Sequence, residues 1–142
     1  EAVVFFDLEA AKGFEYFRKR GGHLFSKSRF VAGQFDGYFS EDSWLDTAAH
    51  ANAMALKLAE GIRSAGGRTA WPVEANELFP ILKRRQFEQL EAKGAKIYEW
   101  PAKDLPKDHA PQADEVCVRM VCSFATTEDD VAAFLGALSE IS

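Results

Sequence analysis

One arginine interrupts an otherwise apolar run near the C-terminus, Val116-Cys117-Val118-Arg119-Met120-Val121-Cys122-Ser123-Phe124. The run is rich in β-branched and apolar residues and reads as a strand. Side chains alternate across a strand, so Arg119 shares a face with Cys117, Val121 and Ser123, opposite Val118, Met120, Cys122 and Phe124. A guanidinium in such surroundings is costly to bury unless acceptors or an anion meet it. Two outcomes satisfy that demand. The first is an edge-strand ion pair with an Asp or Glu of the same domain. The second is a planar fork that grips the carboxylate of a ligand.

A second group lies earlier. Lys27 and Arg29 stand two apart, with Ser26 and Ser28 beside them, just before a predicted helix start. Two cations, hydroxyls and unpaired backbone N–H groups can cradle a phosphate. The plainer reading is a solvated basic loop. Lys19-Arg20 is another basic pair of the same kind. His23, after Gly21-Gly22, has the chemistry of an acid or base near neutral pH but equally suits a satisfied interface histidine. His50 falls within a helix and His109 within a loop, both read as structural or solvated. Glu74 and Asn76 share a strand face, where the amide can bond a neighbouring strand or help orient Arg119. Trp44, Trp71 and Trp100 fall on different elements and read as core or interface. Three scattered histidines and two cysteines give no metal-ligand spacing, so no metal is expected.

The elements that must position these residues fit in one chain of 142 residues, 47% hydrophobic and 27% charged, long enough for a real core. A net charge of −5 argues against nucleic acid as partner. No apolar run approaches the roughly 20 residues of a membrane span. Cys117 and Cys122 point to opposite faces of one strand and cannot pair, and reduced thiols suit a cytoplasmic protein.

Glu1–Asp7, with Val-Val-Phe-Phe at its centre, predicts a buried strand of a parallel sheet whose neighbour the chain does not contain. Leu8–Lys19 predicts a helix, broken at Gly21-Gly22. A further helix is expected from about Arg29, with Gly33 and Gly37 tolerated where another backbone packs closely, as at a subunit interface. Ser43–Ala65 predicts a long helix with Leu45, Ala48, Ala49, Asn52, Leu56, Ala59 and Ile62 as its stripe, ended by Gly66-Gly67. Then follow a strand at Val73–Phe79, a helix at Lys83–Ala92, a strand at Ala95–Trp100, a proline-rich loop from Pro101 to Asp114 and the Arg119 strand. Thr126 or Thr127 with Asp129 or Asp130 marks a capping box, opening a helix that presents Val131, Phe134, Leu135, Leu138 and Ile141. The order predicts an α+β layer with helices on one side of a mostly antiparallel sheet.

Five segments extend this reading: Glu1-Ala-Val-Val-Phe-Phe-Asp7, Arg18-Lys-Arg-Gly-Gly-His-Leu-Phe-Ser-Lys-Ser-Arg-Phe30, His50-Ala-Asn-Ala-Met54, Val73-Glu-Ala-Asn76 and Val118-Arg-Met-Val-Cys-Ser-Phe124. In this order they resemble the low-specificity L-threonine aldolases, especially the phenylserine-aldolase-like branch, over nearly the whole chain. The resemblance implies an α/β fold-type I enzyme dependent on pyridoxal 5'-phosphate (PLP). It implies that residues 1–42 are the C-terminal remnant of the large PLP-binding domain, 43–65 a linking helix, and 66–142 the small C-terminal domain. It implies cleavage of L-threonine, L-allo-threonine or related β-hydroxy-α-amino acids to glycine and an aldehyde, by a homodimer or homotetramer. Arg119 then holds the substrate carboxylate. Family members carry Met-Arg where this chain has Ser28-Arg29, so Arg29, with Lys27, is assigned to the cofactor phosphate, and Lys19 is a further candidate. No catalytic residue is expected within the chain, because the Schiff-base lysine is expected upstream of Glu1, in an N-terminal portion that the fragment lacks. Alone it should be inactive. The competing readings are a β-eliminating lyase or phenylserine aldolase on the same scaffold, and a non-catalytic α+β dimerisation or binding module.

Overall fold

The computed structural model describes residues 3–24, 26–101, 103, 105 and 109–141. It divides into two compact units, Glu1–Asp42 and Ser43–Ser142.

The first unit holds two helices, α1 (Phe14–Arg20) and α2 (Arg29–Phe39), neither with a buried residue. Glu1 and Ala2 of the expected N-terminal strand lie outside the described residues, and residues 3–7 form no strand. A strand needs a partner for its N–H and C=O groups, and among the described residues of this unit none offers one. Val3, Val4, Phe6 and Leu8 are exposed instead. The helix expected from Leu8 starts only at Phe14, because Gly13 takes a left-handed φ of 76° at its N-cap. At Gly33 and Gly37 an added Cβ would meet nothing within 4 Å among the described residues. Glu41 and Asp42 both have left-handed φ, 58° and 56°, which turns the chain before the next helix.

The second unit is built on α3 (Ser43–Ser64), β1 (Arg68–Thr69), β2 (Glu77–Leu78), β3 (Pro80–Lys83), α4 (Arg84–Ala92), β4 (Tyr98–Trp100), β5 (Glu115–Val121) and α5 (Glu128–Ser139). All strand pairs are antiparallel. β2 and β3 both pair with β5, and the register runs without a slip from Lys83↔Glu115 to Ile81↔Cys117 and on from Leu78↔Met120 to Glu77↔Val121. They therefore form one line along one side of β5, interrupted where Pro80 lacks an N–H. β4 pairs with Cys117–Arg119 from the other side. β5 is thus a central strand, not an edge. The strand expected at Val73–Phe79 is displaced towards Lys83, and the one expected from Ala95 starts only at Tyr98.

One face of the sheet is covered by all three helices. Val116, Val118 and Met120 of β5 meet Met54, Ala55, Leu58, Ala59 and Ile62 of α3, Phe87 and Leu90 of α4, and Val131 and Leu138 of α5 in one core cluster. The buried stripe of α3 runs through Ala51, Met54, Ala55, Leu58, Ala59 and Ile62, so it is rotated from the expected one; Leu45 and Leu56 are exposed. On the opposite face Ala70, Ile81, Leu105 and Cys117 form a smaller cluster with Trp71, Phe79 and Trp100. α5 opens with the capping box Thr127–Asp130, in which the Asp130 N–H donates to Thr127 Oγ1 (3.1 Å) and the Thr127 N–H to Asp130 Oδ2 (2.8 Å). In the 101–114 loop, Ala102, Asp104, Pro106, Lys107 and Asp108 lie outside the described residues.

Candidate functional site

Arg119 stands in the middle of the sheet face opposite α3, α4 and α5. Tyr98 of β4 lies directly opposite it, and the unbroken register puts Phe79 opposite it on the other side. Glu77 and Trp100 are the diagonal neighbours. Arg119 Nε donates to Glu77 Oε1, and its Cζ lies 5.7 Å from the Trp100 ring centroid, within cation–π range. The guanidinium therefore has the carboxylate of its own domain that the plainer reading of the sequence names. Yet only Nε is engaged. Among the described residues, no hydrogen bond from either Nη atom accompanies it. The side chains remain partly open, at 45% for Arg119 and 34% for Glu77.

Three aromatic rings extend along this face. Trp71 meets Phe79 edge to face at 4.9 Å, and Phe79 meets Trp100 at 5.3 Å. Arg119 continues the row over Trp100. Its position follows from β5, whose alternate residues Val116, Val118 and Met120 are drawn under the helices and leave Cys117, Arg119 and Val121 on the other face. Arg119 also borders a cleft of about 690 Å³ lined by Leu58, Leu90, Ile97, Met120, Val131 and Phe134 among others.

Asn76 takes the strand-bonding role. Its Nδ2 donates to the Cys122 carbonyl (2.7 Å), while its own carbonyl accepts from the Cys122 N–H (2.8 Å). His50 Nε2 is 2.7 Å from the Thr126 carbonyl oxygen, a contact that ties α3 to the start of α5. Cys117 and Cys122 are both buried on opposite faces of the sheet. Desolvation pushes the Cys117 thiol up to about 11 and raises Cys122 as well, so neither is a ready nucleophile.

Lys27 and Arg29 lie in the other unit, at the start of α2. Both are exposed, and among the described residues neither meets a carboxylate at ion-pair distance. Arg29 rests against the Phe30 ring, 5.0 Å from its centroid. Ser28, the N-cap of α2, makes no side-chain cap, so the helix start is open beside two cations, an arrangement suited to an anion. Among the described residues no group of three His, Cys, Asp or Glu could hold a metal ion, and no helix is long and apolar enough to cross a membrane.

No family model matches the chain. Over 99 residues, 69% of its length, it is 40% identical to a low specificity L-threonine aldolase from Pseudomonas aeruginosa and 36% identical to one from Pseudomonas sp. strain NCIMB 10558. It spans 29% of the length of each. The fold agrees: 91% of the chain superposes on 35% of a Leishmania major threonine aldolase chain, with a TM-score of 0.77 and 28% identity. The chain is a partial relative of the threonine aldolases. Sequence reasoning did not single out Glu77 and read Trp100 only as core or interface, not as a neighbour of Arg119. The available signal was register: an acidic residue at Glu77 and an aromatic at Trp100 become diagonal neighbours of Arg119 only when both flanking strands are aligned on β5.

Proposed function

We propose that this chain supplies the carboxylate-binding arginine and part of the phosphate anchor of a PLP-dependent aldehyde-lyase. The whole enzyme would cleave L-threonine, L-allo-threonine or a related β-hydroxy-α-amino acid to glycine and an aldehyde. The observation that carries the reading is that Arg119, on the sheet face opposite α3, α4 and α5, hydrogen-bonds Glu77 through Nε alone among the described residues. A fork of two parallel N–H donors matches a carboxylate in a way that a lone ammonium does not. Fixing the substrate's carboxylate fixes the direction of its Cα–Cβ bond, which is an orientational contribution to the rate.

The residues at the start of α2, taken in the first unit by itself, suit the phosphate of such a cofactor. Arg29 and Lys27 offer cations free of carboxylates, beside an uncapped helix start, and would hold the phosphate; Lys19, also exposed, is the alternative cation. When bound, the cofactor supplies the electron sink for the bond broken at Cα. The lysine that carries it is assigned to the part of the relatives beyond the matched segment. Residues 1–42 are read as the end of a larger fold-type I cofactor domain, with 43–65 linking it to the small domain, 66–142. The exposed Val3, Val4, Phe6 and Leu8 support a covering partner, and a homodimer or homotetramer in the cytoplasm is part of the same reading.

The test is Arg119→Lys in the full-length protein that contains this segment. The charge stays but the fork is lost. Losing one charge-assisted bond, worth about 1.5–3 kcal/mol, should raise KM for threonine by roughly ten- to a hundredfold. Cofactor affinity, measured by the absorbance of the bound cofactor, should barely move. An unchanged KM with a lowered Tm would make Arg119 a structural ion pair and end the assignment.

A further inference from the structure

We propose that Glu77 is the positioning residue for Arg119: it holds the guanidinium by Nε so that the Nη edge stays presented to the substrate carboxylate. The inference rests on the reading of Arg119 given above. A guanidinium has two edges that can grip a carboxylate, the side edge that includes Nε and the terminal edge formed by both Nη atoms. Glu77 Oε1 takes Nε, and the Trp100 ring lies under the plane at 5.7 Å from Cζ. Together they set the tilt of the plane and the direction of its terminal edge. Without them a long side chain on an open sheet face would sample several rotamers, and the entropy of choosing one would oppose each binding event.

The register explains why this contact forms here. Glu77 pairs with Val121, so it reaches Arg119 diagonally, along the strand, and not from directly opposite. Phe79 and Tyr98 fill the two directly opposite positions with aromatic rings and leave no competing carboxylate there. A carboxylate opposite Arg119 could grip both Nη atoms and block them. Glu77, on the diagonal, engages Nε. A ligand carboxylate at the terminal edge would also bring a second negative charge near Glu77, and Arg119 between them offsets both.

Glu77→Ala and Glu77→Gln in the full-length protein test the role, with Arg119→Lys beside them. Glu77→Ala should raise KM for threonine roughly three- to tenfold, the scale of leaving one flexible side chain to be ordered on binding. Glu77→Gln keeps an acceptor for Nε and should recover most of that loss. kcat at saturation and cofactor affinity should stay close to the parent values in both. A fall in KM on removing Glu77 would mean that the carboxylate competes with the substrate, and the proposal would be overturned. So would an unchanged KM with only a lower Tm. If Arg119→Lys raises KM while Glu77→Ala leaves it alone, Arg119 keeps its role and Glu77 loses its own. If neither variant moves KM, both readings fail together.

Discussion

Gly61 lies inside α3 where α5 crosses it, and the Gly61→Ala variant has an outcome whose sign the structure decides. In an open helix this change is favourable by about 1 kcal/mol, because alanine loses less backbone freedom on folding. Here a Cβ built on Gly61 would stand 2.2 Å from Leu135 Cδ1, 2.6 Å from Cδ2 and 3.0 Å from Cγ. Those distances cannot exist, so Leu135 or the helix must give way. Leu135 packs against the main core cluster and is not wholly free to turn out. Forcing a methyl into such a contact costs about 1–3 kcal/mol. The net effect should be a loss of roughly 0–2 kcal/mol, measured by urea unfolding followed through tryptophan fluorescence. The decisive comparison is the same change beside Leu135→Ala, which removes the three atoms concerned. There Gly61→Ala should gain about 1 kcal/mol, so the double-mutant cycle should return a coupling of about 1–3 kcal/mol. A gain of about 1 kcal/mol in both backgrounds, with no coupling, would refute the close crossing of α3 and α5.

The acidic limb of stability should depend on Glu115. This carboxylate, with its side chain only 11% exposed, accepts the Gln112 N–H at 3.0 Å and Arg68 Nη2 at 2.6 Å and lies 3.2 Å from Lys83 Nζ. The Gln112 backbone N–H above all, with help from Lys83 and Arg68, holds its pKa below the ordinary 4.5. A depressed carboxylate pKa contributes stability that is present above 4.5 and lost as pH falls through the folded-state value. Glu115→Gln should therefore cost about 1–2 kcal/mol at pH 7, and urea unfolding should find the difference shrinking below about pH 4. The thiols give a separate check. With Cys117 pushed up to about 11 and both cysteines buried, neither should react with a thiol reagent at pH 8 until urea is added. Rapid labelling of Cys117 in the native protein would contradict its burial beneath Trp100 and Leu105.

The sequence by itself determined what depends on residues a few positions apart. The Thr127–Asp130 box fixes the start of α5, and the alternation in β5 sends Val116, Val118 and Met120 one way and Arg119 the other. Val131, Phe134, Leu135 and Leu138 of α5 pack as their spacing requires, and Ile141, just past its end, joins them. The ends of α3, Ser43 and Ser64, lie within a residue of those expected, and Gly66-Gly67 follow its last turn. What only the tertiary structure decided depends on partners far along the chain. The face of α3 is one case. Alanines cover much of its circumference, so several stripes are nearly equal in hydrophobicity until the sheet selects the one through Met54, Leu58 and Ile62. Pairing with β5 likewise drew the strand past Phe79 to Lys83, despite Pro80. Residues 3–7 have the pattern of a buried strand but form none, since hydrogen bonding needs a neighbour as well as a pattern. The Arg119–Glu77 contact spans 42 residues of sequence. It exists because two strands align in one register, and a one-residue slip would have sent Glu77 to the opposite face.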